Sequence, residues 1–240
     1  MPEDSMLRHT LIRLIFAGLF SILSLQNAHA SDIDTRALVD AAATSVETFS
    51  IDPDMEWLRH NMHKARAILI VPQLIKGGFF FGGSGGSGVL LTKGEGNVWS
   101  YPAFYTMGSG TIGFQAGVEV AELILIIMTD RGVDGLLTSS FKLGGDISIA
   151  TGPIGAGAKA QSVDIKGKSA DILAFSRTKG FYGGVSAEGA VLKVREDLNH
   201  AYYGDETRSP RAILIEHTVS NPHADSLRVA VARLAEISGP

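Results

Sequence analysis

The sequence predicts an α+β fold: an antiparallel β-sandwich or a curled, barrel-like sheet, flanked by N-terminal and C-terminal helices. Three observations predict it. Apolar residues recur at helical spacing in the first and last parts of the mature chain. Between them, about seven to nine short segments read as strands, several with a period of two. These segments also carry small residues at alternate positions, as curled sheets do where backbones approach closely.

Residues 1–30 have the layout of a secretory signal peptide. Two arginines precede an uncharged apolar run over residues 14–25, and an A-H-A tripeptide suits cleavage after Ala30. The run has 12 residues, fewer than the roughly 20 that span a bilayer, so a permanent membrane helix is not expected. We therefore expect an exported protein whose mature chain, residues 31–240, is a single domain.

The composition excludes several classes of protein. The 240 residues are 45% hydrophobic and can bury a sizeable core. They include no cysteine, so disulfides and thiolate metal sites are excluded and stability must come from core burial. The formal net charge of −4 argues against a nucleic-acid partner, because such binding is driven by many lysine and arginine contacts.

Residues 34–65 predict two N-terminal helices. Asp34 suits the start of the first, whose apolar stripe runs from Leu38 to Phe49. The segment SIDPD interrupts the pattern, with Asp52 or Asp54 able to cap the second helix and Pro53 suited to its entrance.

Residues 67–204 predict the β-rich core. A short apolar run over 67–71 ends at Pro72, and alternation over 112–120 leads into a central strand over 123–128. Further strands are expected over 141–152, 170–177 and 183–194, with a short helix or turn over 130–140. Residues 209–237 predict the C-terminal helices.

The segment FFFGGSGGSGVLL (79–91) matches two motifs at once. Gly83, Gly85 and Gly88 satisfy G-x-G-x-x-G, but the strand-forming VLLT follows where a dinucleotide site needs a helix. A kinase-type glycine loop fits between strands, yet the chain has neither an H-R-D nor a D-F-G segment. We therefore interpret the glycines as residues that let strands bend and backbones approach closely.

The same segment contains G-x-S-x-G around Ser84, the pattern of a hydrolase nucleophile. Its partners would be Asp130 or Asp146 with His200 or His217. Because that nucleophile also needs a following helix and a parallel sheet, a Ser84 hydrolase is the least favoured hypothesis.

Other motifs are weaker still. His60 and His63 suggest a metal pair on a helix but lack a third ligand at fixed spacing. The GKS at 167–169 lacks the upstream glycine of a phosphate-binding loop. The sequence thus predicts no metal, no cofactor and no enzymatic activity.

Five ordered blocks carry a more specific signal. They are ARAILIVPQLIKGGFFFGGSGGSGVLL, WSYPAFYTMGSGTIGFQAGVEVAELILIIMTDRG, FKLGGDISIATGPIG, ADILAFSRTKGFYGGVSAEGAVL and NHAYYG. Together they resemble the SYLF domain family, lipid-binding modules of bacteria and eukaryotes. The resemblance covers about residues 34–237 and is tightest over 67–204.

The resemblance implies a non-catalytic domain that binds phospholipid: phosphoinositides in eukaryotic members, and actin in some fungal ones. For an exported protein it implies a periplasmic protein of the cell envelope, peripheral to a membrane, and makes actin an unlikely partner. In eukaryotic members an amphipathic N-terminal helix contributes to membrane binding. Here that stretch has four acidic residues against Arg36 alone, which disfavours anionic headgroups. The alternative is an envelope structural domain that binds a protein partner.

A headgroup site needs cationic donors beside an apolar surface. The candidate bases within the family blocks are Lys76, Arg131, Lys142, Arg177 and Lys179. Phe79 and Phe181 lie beside these bases in sequence and are the candidate acyl-chain contacts. The alternative role of each aromatic is core packing, and that of each base is a solvated charge. Arg131 has the further alternative of pairing with Asp130.

Overall fold

The structure, a computed structural model, describes residues 32–78, 81–112, 117–145, 147–155, 164–165, 168–178, 187, 189–204 and 209–236. Residues 31–240 form one compact unit. The expected signal peptide, residues 1–30, lies outside the described residues. Among the helices that are described, none is both long and apolar enough to cross a membrane.

The described residues form six α-helices and ten strands. The helices are α1 (Asp32–Ile51), α2 (Glu56–Asn61), α3 (Asp130–Leu136), α4 (Glu196–Tyr203), α5 (Pro210–Leu214) and α6 (Asp225–Glu236). The strands are β1 (Ala67–Gly78), β2 (Phe81–Thr92), β3 (Ala103–Ile112), β4 (Gly117–Ile127), β5 (Ser140–Lys142), β6 (Ile149–Thr151), β7 (Asp164–Ile165), β8 (Lys168–Ser169), β9 (Ile172–Thr178) and β10 (Val191–Val194).

Eight of these strands form one curled sheet, in the order β5-β10-β3-β2-β1-β4-β9-β6. Neighbouring strands are antiparallel except β6 and β9, which are parallel. The sheet curls into a half-barrel, and helices stand at both ends of the unit. The predicted α+β class is confirmed, with a barrel-like sheet rather than a sandwich.

The sheet buries both faces over the part nearest the ends of β1 at Ala67 and of β2 at Thr92. On one face, strand residues join a buried cluster that includes Leu69, Leu125 and Tyr105. Because side chains alternate along a strand, Ile68 and Ile126 point to the other face, where they are also buried. Trp57 of α2 stacks on Phe175 of β9, with ring centroids 5.8 Å apart. We call this second face the helix face.

The two N-terminal helices form much as predicted, and they cover the helix face. Helix α1 packs on β1, β2 and α6. Its buried stripe falls at helical spacing: Val39, Ala42, Val46 and Phe49. Asp34 lies inside the helix instead of at its start, because α1 begins at Asp32. Asp52 accepts a bond from the Asp54 amide at 3.0 Å and caps a short 3₁₀ turn that Pro53 opens.

Strand β1 continues past Pro72, so the predicted end of that strand was wrong. The pairing register shifts between Val71 and Leu74 against β4, and between Ile70 and Ile75 against β2. Such a bulge leaves a residue out of the hydrogen-bond ladder, so a proline without an N–H is accommodated there.

The same bulge explains part of the glycine-rich segment, whose described residues, 81–91, all lie in strand β2. A Cβ on Gly86 would lie 2.4 Å from the Gln73 carbonyl oxygen, and one on Gly88 would lie 2.4 Å from that of Ile70. Contacts that short are essentially never seen, so the close approach of β1 and β2 requires glycine at both positions. The interpretation of the glycines as close-packing residues is confirmed at these two positions.

Three other predicted elements differ from the structure. The strand over 141–152 is two short strands, β5 and β6, because Gly144 takes a left-handed backbone with φ of 80° between them. Of the residues over 183–194 that the structure describes, only Val191–Val194 form a strand, β10, and Gly189 is left-handed two residues before it. The alternation over 112–120 is not one strand, because β3 ends at Ile112 and β4 begins at Gly117, on opposite sides of the β1–β2 pair.

Candidate functional site

Strands β1 to β4 lie side by side in what we call the distal end of the sheet: residues 75–77, 82–85, 108–110 and 118–120. Three aliphatic side chains there are exposed: Ile75 by 49%, Val118 by 78% and Val120 by 36%. Ile75 pairs with Val120, and Val118 pairs with Gly77, so all three lie on the helix face. We call these three residues the aliphatic strip.

Glycines surround the aliphatic strip on the side of β2 and β3. Ile75 pairs with Gly85, which pairs with Gly108. Gly77 pairs with Gly83, which pairs with Gly110. Because directly paired residues point to the same face, these positions place bare backbone beside the strip. The distal end therefore presents apolar side chains next to bare backbone, because the paired glycines have no side chains that could cover the strip.

Two predicted bases lie near the distal end, and both are paired with carboxylates. Lys76 Nζ lies 3.7 Å from a Glu119 carboxylate oxygen, on the face opposite the aliphatic strip. Arg177 Nε lies 3.3 Å from Oδ2 of the buried Asp52, and its Nη1 donates to Glu122 Oε2 at 3.2 Å. Ser45 of α1 also donates to Glu122, at 2.8 Å. The Arg177 network thus fastens the N-terminal helices to β4 and β9.

Arg131 forms its ion pair with Asp171, and the suggested pairing with Asp130 was wrong. Asp171 is buried just before β9 and accepts bonds from Ser148 at 2.7 Å and from Thr129 at 2.7 Å. Burial alone would raise the pKa of Asp171, but the bonds from Ser148, Arg131 and Thr129 outweigh it and hold the pKa well below its ordinary value. Arg131 therefore takes part in a structural anchor.

The predicted bases that the structure describes are not gathered at one place. Lys142 is exposed on the edge strand β5, while Arg177 lies on β9, the seventh strand of the sheet order. Six strand spacings correspond to about 29 Å along the sheet. Arg131 lies at the opposite end of β4 from the distal end. Phe79, Lys179 and Phe181 lie outside the described residues.

The geometry places Ser84 far from Asp130 and His217, two of the four residues suggested as its partners in a hydrolase. Ser84 lies within β2 and shares a hydrogen bond with Ser109 Oγ at 2.8 Å. In the strand register, Ser84 lies opposite Lys76 of β1, and Lys76 lies opposite Glu119 of β4. Asp130, in contrast, follows the far end of β4. The eight residues of β4 in between span about 26 Å. His217 lies beside Gly94, also beyond the far end of β2, and Asp146 is outside the described residues.

The histidine pair gives no metal site in the described part of the chain. His60 Nδ1 lies 2.8 Å from the Glu56 carbonyl oxygen, a contact within α2. Among the described residues, no three histidine, aspartate or glutamate side chains converge as metal ligands would.

The aliphatic strip was missed from the sequence. Val118 and Val120 alternate with Glu119, a pattern typical of a strand with one buried face. The pattern does not show whether another element covers that face, and here Val118 and Val120 stay exposed on it. The glycines of β2 and β3 are the sequence feature that could have indicated the strip, since glycine has no side chain to cover neighbouring apolar residues.

Comparison with protein-family models matches residues 108–234 to the family described as Ysc84, Las17-binding protein actin regulator. Among curated proteins, the chain is 31% identical over 167 residues to Protein YSC84 of Saccharomyces cerevisiae, which is 69% of this chain and 35% of that protein. It is 32% identical over 145 residues to LAS seventeen-binding protein 3 of the same yeast, which is 60% of this chain and 31% of that one. It is 30% identical over 158 residues to SH3 domain-containing YSC84-like protein 1 of Bos taurus, and this match covers 65% of this chain and 46% of that protein.

The chain therefore spans between about a third and just under half of the length of these relatives. No solved structure matches it. The family model covers more than half of the 240 residues, and the matched residues contain the last three of the five sequence blocks in full and most of the second. The chain belongs to the Ysc84 family, whose domain is also called SYLF.

Proposed function

We propose that this chain is a non-catalytic phospholipid-binding module that touches a membrane surface with the distal end of its sheet. The observation that carries the proposal is the aliphatic strip, three exposed side chains beside a glycine-lined backbone. The resemblance to SYLF modules, which bind phospholipid, supports the same ligand class. The separation of Ser84 from Asp130 and His217 supports a role without turnover.

The strip is large enough for a reversible contact with a membrane. Full burial of a valine or isoleucine side chain contributes about 1.5–3 kcal/mol. Since 36–78% of each side chain is still exposed, inserting all three would contribute about 3 kcal/mol in total. This is less than one myristoyl chain provides, which by itself gives only marginal binding. The proposed association is therefore peripheral.

The contact is expected to be mainly apolar. Lys76 and Arg177, the described bases nearest the strip, are each held by a carboxylate. Paired charges attract anionic headgroups weakly, so binding should depend little on salt and on the fraction of anionic lipid. Lys179, Phe79 and Phe181 remain predictions for further lipid contacts.

Flotation with vesicles tests the proposal. We expect the wild-type chain, residues 31–240, to float with phosphatidylcholine vesicles and with vesicles containing one-fifth phosphatidylglycerol. Val118→Asp removes the most exposed member of the strip and adds a charge that must be desolvated, so vesicle affinity should fall at least about tenfold.

The matched control is Val229→Asp, because Val229 is 47% exposed on α6, away from the sheet. It should float as the wild type does. Both variants should unfold at the wild-type urea concentration, since neither side chain is buried. Flotation that Val118→Asp does not reduce would remove the strip from the binding surface. A wild type that stays unbound with both vesicle types would refute the lipid proposal.

A protein partner is the second candidate, favoured by the printed names of the relatives. One yeast relative is named for binding LAS seventeen, and the family is described as an actin regulator. The aliphatic strip would suit a protein surface equally well in its apolar chemistry. Sedimentation with filamentous actin tests one such partner. We expect no saturable sedimentation, and a Val118-dependent sedimentation would favour actin over lipid.

We further propose that the protein is exported and acts in the cell envelope, with residues 1–30 as the cleaved leader. The basic region, apolar run and A-H-A site of that segment support this. Mass spectrometry of the protein from cell fractions tests it: the N-terminal peptide should begin at Ser31 in the periplasmic fraction. A cytosolic protein that retains residues 1–30 would contradict it.

A further inference from the structure

A cleft of about 910 Å³ lies at the end of the sheet opposite the distal end. Arg66, just before β1, and Lys93, just after β2, line one side of it. His217 and Arg228, from the C-terminal part of the chain, line another. We call it the proximal cleft. Of the residues predicted to bind lipid, none of those that the structure describes lines this cleft.

Two cations of the cleft have charge available for a ligand. Lys93 Nζ donates to the His63 carbonyl at 2.5 Å, and no carboxylate is among its partners in the described part of the chain. Arg66 Nε lies 3.4 Å from an Asp130 oxygen, but these side chains are 56% and 80% exposed, so water weakens the pair. Burial, together with the charge of Arg66, holds the pKa of Lys93 below its ordinary value, as expected for a cation without a counter-ion.

The other side of the cleft is fixed and partly apolar. The Arg228 guanidinium lies 4.2 Å from the centre of the Tyr101 ring, donates to the Trp99 carbonyl at 2.9 Å and pairs with Asp225. Arg228 is therefore occupied, and it holds the aromatic wall in place. Val98 and Ile215 expose about half of their surface at the same cleft.

Backbone strain is also concentrated here. Among the described residues, Asn97 and His217 are the non-glycine residues with a left-handed backbone, at φ of 61° and 52°. His217 lines the cleft, and Asn97 lies in the turn Glu95–Asn97 at its edge. A Cβ on Gly94 would lie only 3.3 Å from His217 Nε2, so glycine makes room for that ring. Such conformations persist where the surroundings hold them, and they cluster at ligand sites.

We infer that the proximal cleft binds a phosphate ester that carries an apolar group, with the phosphate against Lys93 and Arg66 and the apolar group against Val98 and Ile215. Two adjacent cations match the charge of one phosphate and can donate several hydrogen bonds to its oxygens. Glu95 and Asp130 also line the cleft, so it suits one anionic group rather than a polyanion. The volume is far larger than a bare phosphate needs, which leaves room for the apolar part.

Calorimetric titration with n-octyl phosphate, below its micelle concentration, tests the inference on residues 31–240. The wild type should bind it, and n-octyl glucoside, which lacks the charge, should not bind. Lys93→Gln and Arg66→Gln should each weaken binding about tenfold, the usual effect of losing one charge-assisted hydrogen bond. Lys93→Gln still offers a donor to the His63 carbonyl, so its fold should be retained. Lys193→Gln, an exposed lysine on β10, is the matched control and should bind as the wild type does.

Equal affinity in the wild type and both cleft variants would overturn the inference, as would equally tight binding of n-octyl glucoside. Vesicles containing phosphatidic acid distinguish the two sources of the phosphate. If Lys93→Gln also loses vesicle binding, the group is a membrane headgroup; if it does not, the ligand is a free amphiphile. Val118→Asp should bind n-octyl phosphate normally, so a failure of the distal-end proposal is distinguishable from a failure of this one.

Discussion

Replacing Gly88 by alanine should destabilise the sheet at its centre. The new Cβ would lie 2.4 Å from the Ile70 carbonyl oxygen and 2.8 Å from Val71 Cγ2, whereas ordinary contacts begin at 3.4 Å. The strands would have to separate by about 1 Å to restore ordinary contact. The Ile70 oxygen is a backbone atom of β1, and β1 is hydrogen-bonded to β2 on one side and to β4 on the other. This oxygen therefore cannot move away as the end of a flexible side chain would.

The size of the effect follows from two opposing contributions. Overpacking in a well-packed core costs about 1–3 kcal/mol, and the upper part of that range applies because the contact is with backbone. Alanine also restricts the unfolded chain, which stabilises the fold by about 0.4–1 kcal/mol. The net loss for Gly88→Ala should be about 2 kcal/mol. Gly110→Ala, on β3, is the matched control, because no atom lies within 4 Å of its added Cβ. It should be neutral or slightly stabilising.

Urea denaturation followed by tryptophan fluorescence measures both variants, since Trp57 and Trp99 are buried. With a urea dependence of about 2 kcal/mol per molar, the Gly88→Ala midpoint should fall by about 1 M. Adding Val71→Ala should not restore it, because the Ile70 oxygen remains. Equal midpoints for Gly88→Ala and Gly110→Ala would refute the close-approach explanation of this glycine.

Three further predictions concern charge and catalysis. Asp171→Asn should lower the free energy of unfolding by about 2 kcal/mol at pH 7. Because the pKa of Asp171 is lowered in the folded state, this difference from wild type should shrink as the pH falls below about 4. A difference that stays constant to pH 2 would contradict this. Arg177→Gln should cost about 1–2 kcal/mol in urea by leaving Asp52 without its guanidinium, whereas the exposed Lys142→Gln should change stability by less than about 0.5 kcal/mol; equal effects would argue against the network. Ser84→Ala should leave hydrolysis of p-nitrophenyl acetate at the background rate, and Ser84-dependent turnover would show an enzyme.

Local patterns were sufficient for the elements whose hydrophobic stripe lies in one segment. The stripe of α1 and the apolar run of β4 predicted their positions directly. The sheet order was not predictable, because β10 pairs with β3 and β6 pairs in parallel with β9 across long stretches of chain. Pro72 shows the same limit, since only the pairing with two neighbours reveals the bulge that accepts it.

The candidate site was harder to predict because charge depends on partners that are distant in sequence. Arg177 was predicted as a cation for a lipid headgroup. The carboxylates that pair with it, Asp52 and Glu122, come from other elements and meet it only in the folded sheet. No sequence pattern identified Lys93 or Arg66 as candidate residues. They lie close together because each flanks one of two paired strands. The register of the sheet, which no local pattern contains, decides which charges are neutralised.

The glycines of β2 and β3 differ in how tightly they are packed, a difference that the sequence motif does not show. Gly86 and Gly88 are required by the bulge in β1. Gly85 would gain only an ordinary contact, at 3.8 Å from the Met107 carbonyl oxygen, and Gly110 would gain none. Packing therefore does not account for glycine at those two positions, whereas the proposed contact of a membrane with the aliphatic strip would account for it. It follows that a bulky, uncharged residue such as leucine at position 110 should leave the free energy of unfolding within about 0.5 kcal/mol of wild type yet change vesicle affinity. Stability and binding would then separate at one residue.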